Sequence, residues 1–250
     1  MTWEQYCSRA EARGLTRRDA LLKRTKRNLL NKEIDSLSFH KVLIDEEERQ
    51  VTIIDSDNLN EKRIISLPGE DLKCGALVEW MNNYWLITKR DANNEVNTRA
   101  KLRQCNYLLK WVDEEHIIHE QWCVVEDGTK YLTGEMEDRN FIVTRGDARI
   151  AITIGRNEHT AKLHRECRFI VDDPNSLVKM AFLLTKPLKI GWTYNNEGVF
   201  SFVLQEVVTT EDDNLELGIA DYYKHFPRVL VEEPELGKDI SEETGKKVWL

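Results

Sequence analysis

From Phe39 onward the apolar residues of this chain recur with a period of two, in short runs cut by Asn-, Asp-, Gly- and Pro-containing turns. Alternation sends successive side chains to opposite faces of a strand, so each run needs a second sheet layer against which to bury its apolar face. The first runs are His40–Asp45, Gln50–Asp55, Lys62–Ser66, Ala76–Trp80 and Tyr84–Thr88. Leu102–Val112 then reads as one strand, with Ile117–Val125 as its hairpin partner. Phe141–Thr144, Arg149–Ile154, Arg168–Val171, Met180–Thr185 and Val199–Gln205 continue the series. Leu67-Pro68-Gly69-Glu70-Asp71 is a strong turn, because proline fixes φ and glycine accepts positive φ. Met81-Asn82-Asn83 joins two aromatic-rich strands into a hairpin. Many short strands at such intervals predict a mainly β chain, with small β-barrel or sandwich domains.

The first 36 residues follow a different period. Leu15, Leu21, Leu22, Leu29 and Leu30 fall near 3.6-residue spacing, and Thr16 can cap a helix that starts at Arg17. Thr16-Arg17-Arg18-Asp19 places an acid at the third helical position, as in a capping box. Gly14 separates this helix from a shorter one, Trp3 to Arg13. The apolar stripe is narrow, so the longer helix must dock on another surface or stay mobile.

Charge follows the same division. Residues 1–33 carry nine bases against four acids, a local +5, whereas the 250-residue chain carries −8. From Glu206 onward twelve acids face five bases, a local −7. A basic arm on an acidic body suggests a nucleic-acid or acidic-protein partner, and Arg9, Arg13, Arg17, Arg18, Lys23, Arg24, Lys26 and Arg27 are the candidate contacts. A solvated helix face accounts for the same residues equally well. The expected organisation is a basic helical N-terminal arm (1–36), a first β domain (37–112), a second β region (113–210) and an acidic extended C-terminal tail or linker (211–250).

Motifs for chemistry are sparse. The five cysteines are widely spaced with no C-x-x-C pair, which disfavours structural zinc and fits buried thiols. His116 and His119 form an H-x-x-H, but Ile117-Ile118 between them argues for a strand or turn, where positions three apart face opposite sides. His159 and His164 lie five apart. No metal ligand, cofactor site or catalytic residue is assigned. The acids of Glu211-Asp212-Asp213 and Asp172-Asp173 fall in predicted turns and read as solvated. Trp80, Tyr84, Trp85, Tyr107, Trp111 and Trp122 could stack bases, but their alternation with polar residues favours the core. No apolar run approaches the roughly 20 residues of a membrane span. With an N-terminus unlike a signal peptide, the chain reads as a soluble intracellular product.

The segment Pro68 through Thr88, with its Gly75-Ala76-Leu77-Val78-Glu79-Trp80 strand and Tyr84-Trp85-Leu86-Ile87-Thr88 return, resembles the hairpin of tailed-phage head-closure and head–tail connector proteins. Asn93–Trp111, Trp122–Arg145 and Arg156–Asp173 are similar to structural proteins of phages and prophages of Gram-positive bacteria. The resemblance implies a non-enzymatic virion protein, made in the host cytoplasm, that bridges portal and tail as a ring of identical copies. Its implied partners are itself, the portal protein and tail or neck proteins, with packaged DNA as a further contact. Neither a membrane nor a small-molecule substrate is expected. The alternatives are another tail or capsid-associated component, a nucleic-acid-binding protein using residues 9–32, and a metal enzyme.

Overall fold

The change of period at Phe39 is the change from helix to sheet. A computed structural model describes residues 2–14, 16–91, 95–127, 149–173, 175–176, 178–194 and 196–227. The expected strand Phe141–Thr144 and residues 228–250 of the expected tail lie outside the described residues. Helix α1 (Trp3–Arg13) ends before Gly14, and α2 (Arg17–Ile34) starts behind Thr16, whose hydroxyl accepts from the Asp19 amide while Asp19 accepts from the Thr16 amide. That is the expected capping box.

Six strands follow: β1 (Phe39–Ile44), β2 (Glu47–Asp55), β3 (Glu61–Ser66), β4 (Leu77–Trp80), β5 (Asn83–Arg90) and β6 (Arg99–Gln104). They close into a barrel in the order β1-β2-β3-β6-β5-β4. The inward positions, among them Val42, Val51, Ile64, Val78, Ile87 and Leu102, make its core. The β4–β5 turn holds Met81 and Asn82 at positive φ, the backbone of a tight hairpin whose twist matches its strands.

A second sheet contains β7 (Tyr107–Val112), β8 (Ile118–Asp127), β9 (Arg149–Gly155), β10 (Arg168–Ile170), β11 (Ala181–Tyr194) and β12 (Glu197–Val207), ordered β10-β11-β12-β9-β8-β7. It curls until its two edges approach, and the Tyr107 hydroxyl donates to the Ile170 carbonyl across the gap at 2.9 Å. Leu109, Ile152, Phe169, Leu184, Phe202 and Leu204 fill the interior. Two short helices complete the described chain, α3 (Glu158–Lys162) and α4 (Tyr222–His225).

Three expectations need correction. Leu102–Val112 is not one strand: β6 belongs to the barrel and β7 to the second sheet, with the crossing at Cys105-Asn106. The Asn106 side chain stands in for a ladder rung there, donating to the Val125 carbonyl and accepting the Val125 amide. The first β domain therefore ends at β6, short of Val112. Residues 211–227, expected as extended tail, are folded: Ile219 and Ala220 are buried. Asp213, expected to be solvated, is fully buried and paired with Arg168 at 2.8 Å. Arg168 also donates to Asp221, to the Thr210 hydroxyl and to the Val208 carbonyl, clamping this segment to β10.

The barrel and the second sheet meet along a seam of backbone. Gly198 N–H donates to the Cys74 carbonyl, and Arg156 N–H donates to the Gly198 carbonyl. A Cβ on Gly75, at φ +90°, would lie 2.0 Å from the Gly198 carbonyl oxygen, so no side chain fits. Beside it Leu86, Cys105, Val124 and Val199 are buried together, and Tyr84 stacks on Trp122 at 4.6 Å.

Gly75→Ala is expected to lower stability by about 2–4 kcal/mol, from backbone strain plus steric overlap. Gly69→Ala, at φ +97° but facing open space, should cost only about 1 kcal/mol. Urea unfolding of both variants checks the contrast, and equal losses would contradict a close-approach role for Gly75. Arg168→Ala leaves Asp213 buried without its cation, an expected loss of about 3–5 kcal/mol in urea unfolding. Burial pushes the Asp213 carboxyl up, but hydrogen bonds from the Asp221 and Thr210 amides and from Arg168 outweigh it and hold it below its ordinary 3.8. The clamp therefore stabilises above about pH 4 and weakens as pH falls below that value.

Candidate functional site

The structure divides the charges that the basic arm carries on α2 between two faces of that helix. Leu22, Lys26, Leu29, Leu30 and Glu33 are half-buried, spaced so that they share one face of α2. That face leans on the barrel rim: Lys26 lines a cleft with Glu70, Asp71, Asp91 and Asn97, and Glu33 hydrogen-bonds Asn97. Arg18 pairs with Glu95 at 2.5 Å. Part of the expected contact set is thus turned toward the protein's own acidic loops.

Arg17, Leu21 and Arg24, spaced i, i+4 and i+7, line the opposite and exposed face. Lys23 and Arg27 are also exposed. Arg9 and Arg13 lie on α1, and their side chains are outside the described ones. No residue of α2 is fully buried, and Trp3, Tyr6, Leu21, Ile34 and Leu37 remain exposed, Leu37 almost completely at 99%. The apolar stripe is therefore only half covered.

The cysteines and aromatics follow expectation. All five thiols are free, with Cys74, Cys105 and Cys123 buried and Cys7 and Cys167 partly so. Burial pushes the Cys74 thiol up to about 11 and Cys105 to about 12, and raises Cys123 further, which removes them as nucleophiles. Trp85 and Trp111 are buried in the two cores. Two open clefts of about 950 and 910 Å³ flank the barrel–sheet seam.

The histidines do not. The H-x-x-H is divided as strand spacing requires, yet each half finds a histidine from elsewhere in the chain. His116, in the β7–β8 turn at φ +61°, places its Nδ1 3.1 Å from that of His225 on α4. His119, on β8, stacks on His159 of α3 with ring centroids 4.0 Å apart. The Asp113 carboxylate meets His119 Nε2 at 2.7 Å, while its other oxygen accepts the Glu115 and Ile117 amides at 2.9 Å. Ligand atoms of Asp113, His119 and His159 all lie within 4.8 Å of one another, so among the described residues these three could hold a metal ion.

Local folding explains the convergence. Asn157 caps α3 through a reciprocal pair with Thr160, and its side chain also donates to Gln121 Oε1 at 2.8 Å. Gln121 lies two residues beyond His119 and on the same face of β8. At the far end of α3, Lys162 pairs with Glu115 of the turn at 3.2 Å. The helix is pinned over the hairpin at both ends, with His159 above His119 between them. Nothing local in the sequence signals this, because β9 intervenes between His119 and His159.

Comparison with known families bears on the first half of the chain. Residues 16–104 match the model of the YomX N-terminal domain, a phage-derived family. The match begins at Thr16, the cap of α2, and ends at Gln104, the last residue of β6, so it covers the docked helix and the closed barrel as one unit. No curated protein and no solved structure matches the chain. None of the described helices is long and apolar enough to cross a membrane.

The contact with His119 first, and then the Ile117 and Glu115 amides, hold the Asp113 carboxyl down to about 2, below its ordinary 3.8. The lowered value means that this corner is stabilised above about pH 4 and loses the interaction as pH falls toward 2. His119→Asn should raise the Asp113 titration midpoint toward the ordinary range, read by carbon-13 carboxyl NMR. An unmoved midpoint would show that the backbone amides alone set it.

Proposed function

We propose that the protein is a non-enzymatic structural component of a phage particle that acts at the head–tail junction, bridging portal and tail as a ring of identical copies. The observation that carries this reading is the phage-derived match over α2 and the barrel, on a chain whose N-terminal arm leaves Trp3, Tyr6, Leu21 and Ile34 uncovered. Exposed apolar residues on the two helices of this arm suit a surface that becomes buried in assembly. β11 adds a second such feature: among the described residues its backbone beyond Leu184 pairs only with β12, and Leu188, Ile190 and Tyr194 on this stretch are exposed. Lys186, Pro187 and Lys189 and two register shifts interrupt that edge, which guards it against unselective pairing while leaving room for a fitted neighbour.

In this reading the partners are further copies of the chain, the portal protein and neck or tail proteins, and the protein resides in the virion after synthesis in the host cytoplasm. The basic face of α2 is directed at an acidic protein surface or packaged DNA. The role needs no cofactor.

Native mass spectrometry and proteomics of purified particles test the proposal together. The expected result is a discrete ring-forming oligomer, weakened at least tenfold in association constant by Leu21→Glu, and the polypeptide in the particle's neck fraction. A monomer at all concentrations that is also absent from particles would refute it. The second reading, nucleic-acid binding, is favoured by the exposed Arg17 and Arg24 row. It predicts affinity that falls steeply with salt and is lost in Arg17→Glu/Arg24→Glu. Salt-insensitive or absent binding dismisses it.

A further inference from the structure

The corner formed by the β7–β8 turn and α3 brings a carboxylate and two imidazoles together. Asp113, His119 and His159 present one carboxylate oxygen and two imidazole nitrogens within 4.8 Å of one another. Two of the side chains are largely buried, with 7% of Asp113 and 13% of His119 exposed, while His159 faces solvent. We propose that these three residues form a binding site for a divalent transition-metal ion of the zinc class, with its remaining coordination positions open to solvent.

Chemistry and geometry agree on this class. Two imidazoles and one carboxylate suit borderline ions such as Zn²⁺ and Co²⁺ rather than Ca²⁺ or Mg²⁺, which take oxygen ligands. Donors about 2.1 Å from one metal ion sit roughly 3.0–3.4 Å apart. The Asp113–His119 contact of 2.7 Å must therefore open by a few tenths of an ångström, and the exposed His159 ring must turn inward. The outer partners that such a site needs are in place. Asp113 is oriented by the Glu115 and Ile117 amides, and α3 is fixed by the Asn157–Gln121 and Lys162–Glu115 contacts. On binding, the ion takes the Nε2 position now used by the Asp113 contact, and any proton on that nitrogen leaves to solvent. No bond other than coordination forms, and no electron moves.

The test uses the full chain without an affinity tag, stripped with chelator and titrated with ZnCl₂ by calorimetry. One ion per chain is expected. His119→Ala and His159→Ala should each weaken binding at least tenfold, while His116→Ala, which alters the neighbouring His116–His225 pair, should leave it unchanged. Apo-protein melting curves show whether each variant is folded, and His159 is exposed enough that its loss should not move them. Co²⁺ provides a readout independent of stability: a visible d–d band that disappears in His159→Ala. Absence of zinc binding, binding indifferent to His119 and His159, or binding lost only with His116 would each overturn the proposal.

Discussion

The backbone contact at Gly75, Gly155 and Gly198 is what the rest of the architecture depends on. There β4's approach strand, the end of β9 and the start of β12 come closer than any Cβ allows: a Cβ on Gly155 would lie 2.3 Å from the Gly75 carbonyl oxygen. With no side chains between them, the barrel and the second sheet share a main-chain hydrogen bond, from the Gly198 amide to the Cys74 carbonyl, as well as apolar area. The Tyr84–Trp122 stack and the buried Leu86–Val199 cluster join the same two bodies, and residues of both line two open clefts.

Charge is used in two different ways on the two sides of that seam. In the second sheet, Arg168 and Asp213 are removed from water and satisfied by several partners, so their pairing fixes where the chain goes after β12. On the barrel rim that α2 meets, the Arg18–Glu95 pair is exposed and contributes little to stability. What it contributes there is orientation: the inner face of α2 meets the acidic loops of the rim, and Arg17, Leu21 and Arg24 face outward. A partner would thus meet a basic, partly apolar helix carried on a closed barrel.

Much of this was legible in the residues. Alternation located the barrel strands because each buries one face, and Thr16 with Asp19 fixed the start of α2 through a contact three residues long. Where the reading went astray, the deciding contact was distant. The apolar set Cys105, Tyr107, Leu109 and Trp111 alternates, Arg103-Gln104 breaks its phase with Leu102, and the pairing of Asn106 with Val125 marks where the chain changes sheets. β11 runs on through Lys186 and Pro187 to Tyr194 because an edge strand tolerates a missing amide donor. The acids after Thr210 looked like solvated turn residues, and Asp213 is buried because Arg168 reaches it from 45 residues away.

The sequence by itself determined a helical, basic N-terminus, a mainly β body and buried thiols such as Cys105 and Cys123, since each follows from periodicity or from immediate neighbours. Only the tertiary structure decided that His119 lies under His159, that His116 meets His225 and that residues 211–227 are folded. Those arrangements come from strand order and from helices pinned across a hairpin. Such contacts join positions far apart along the chain, and no local pattern of residue types encodes them.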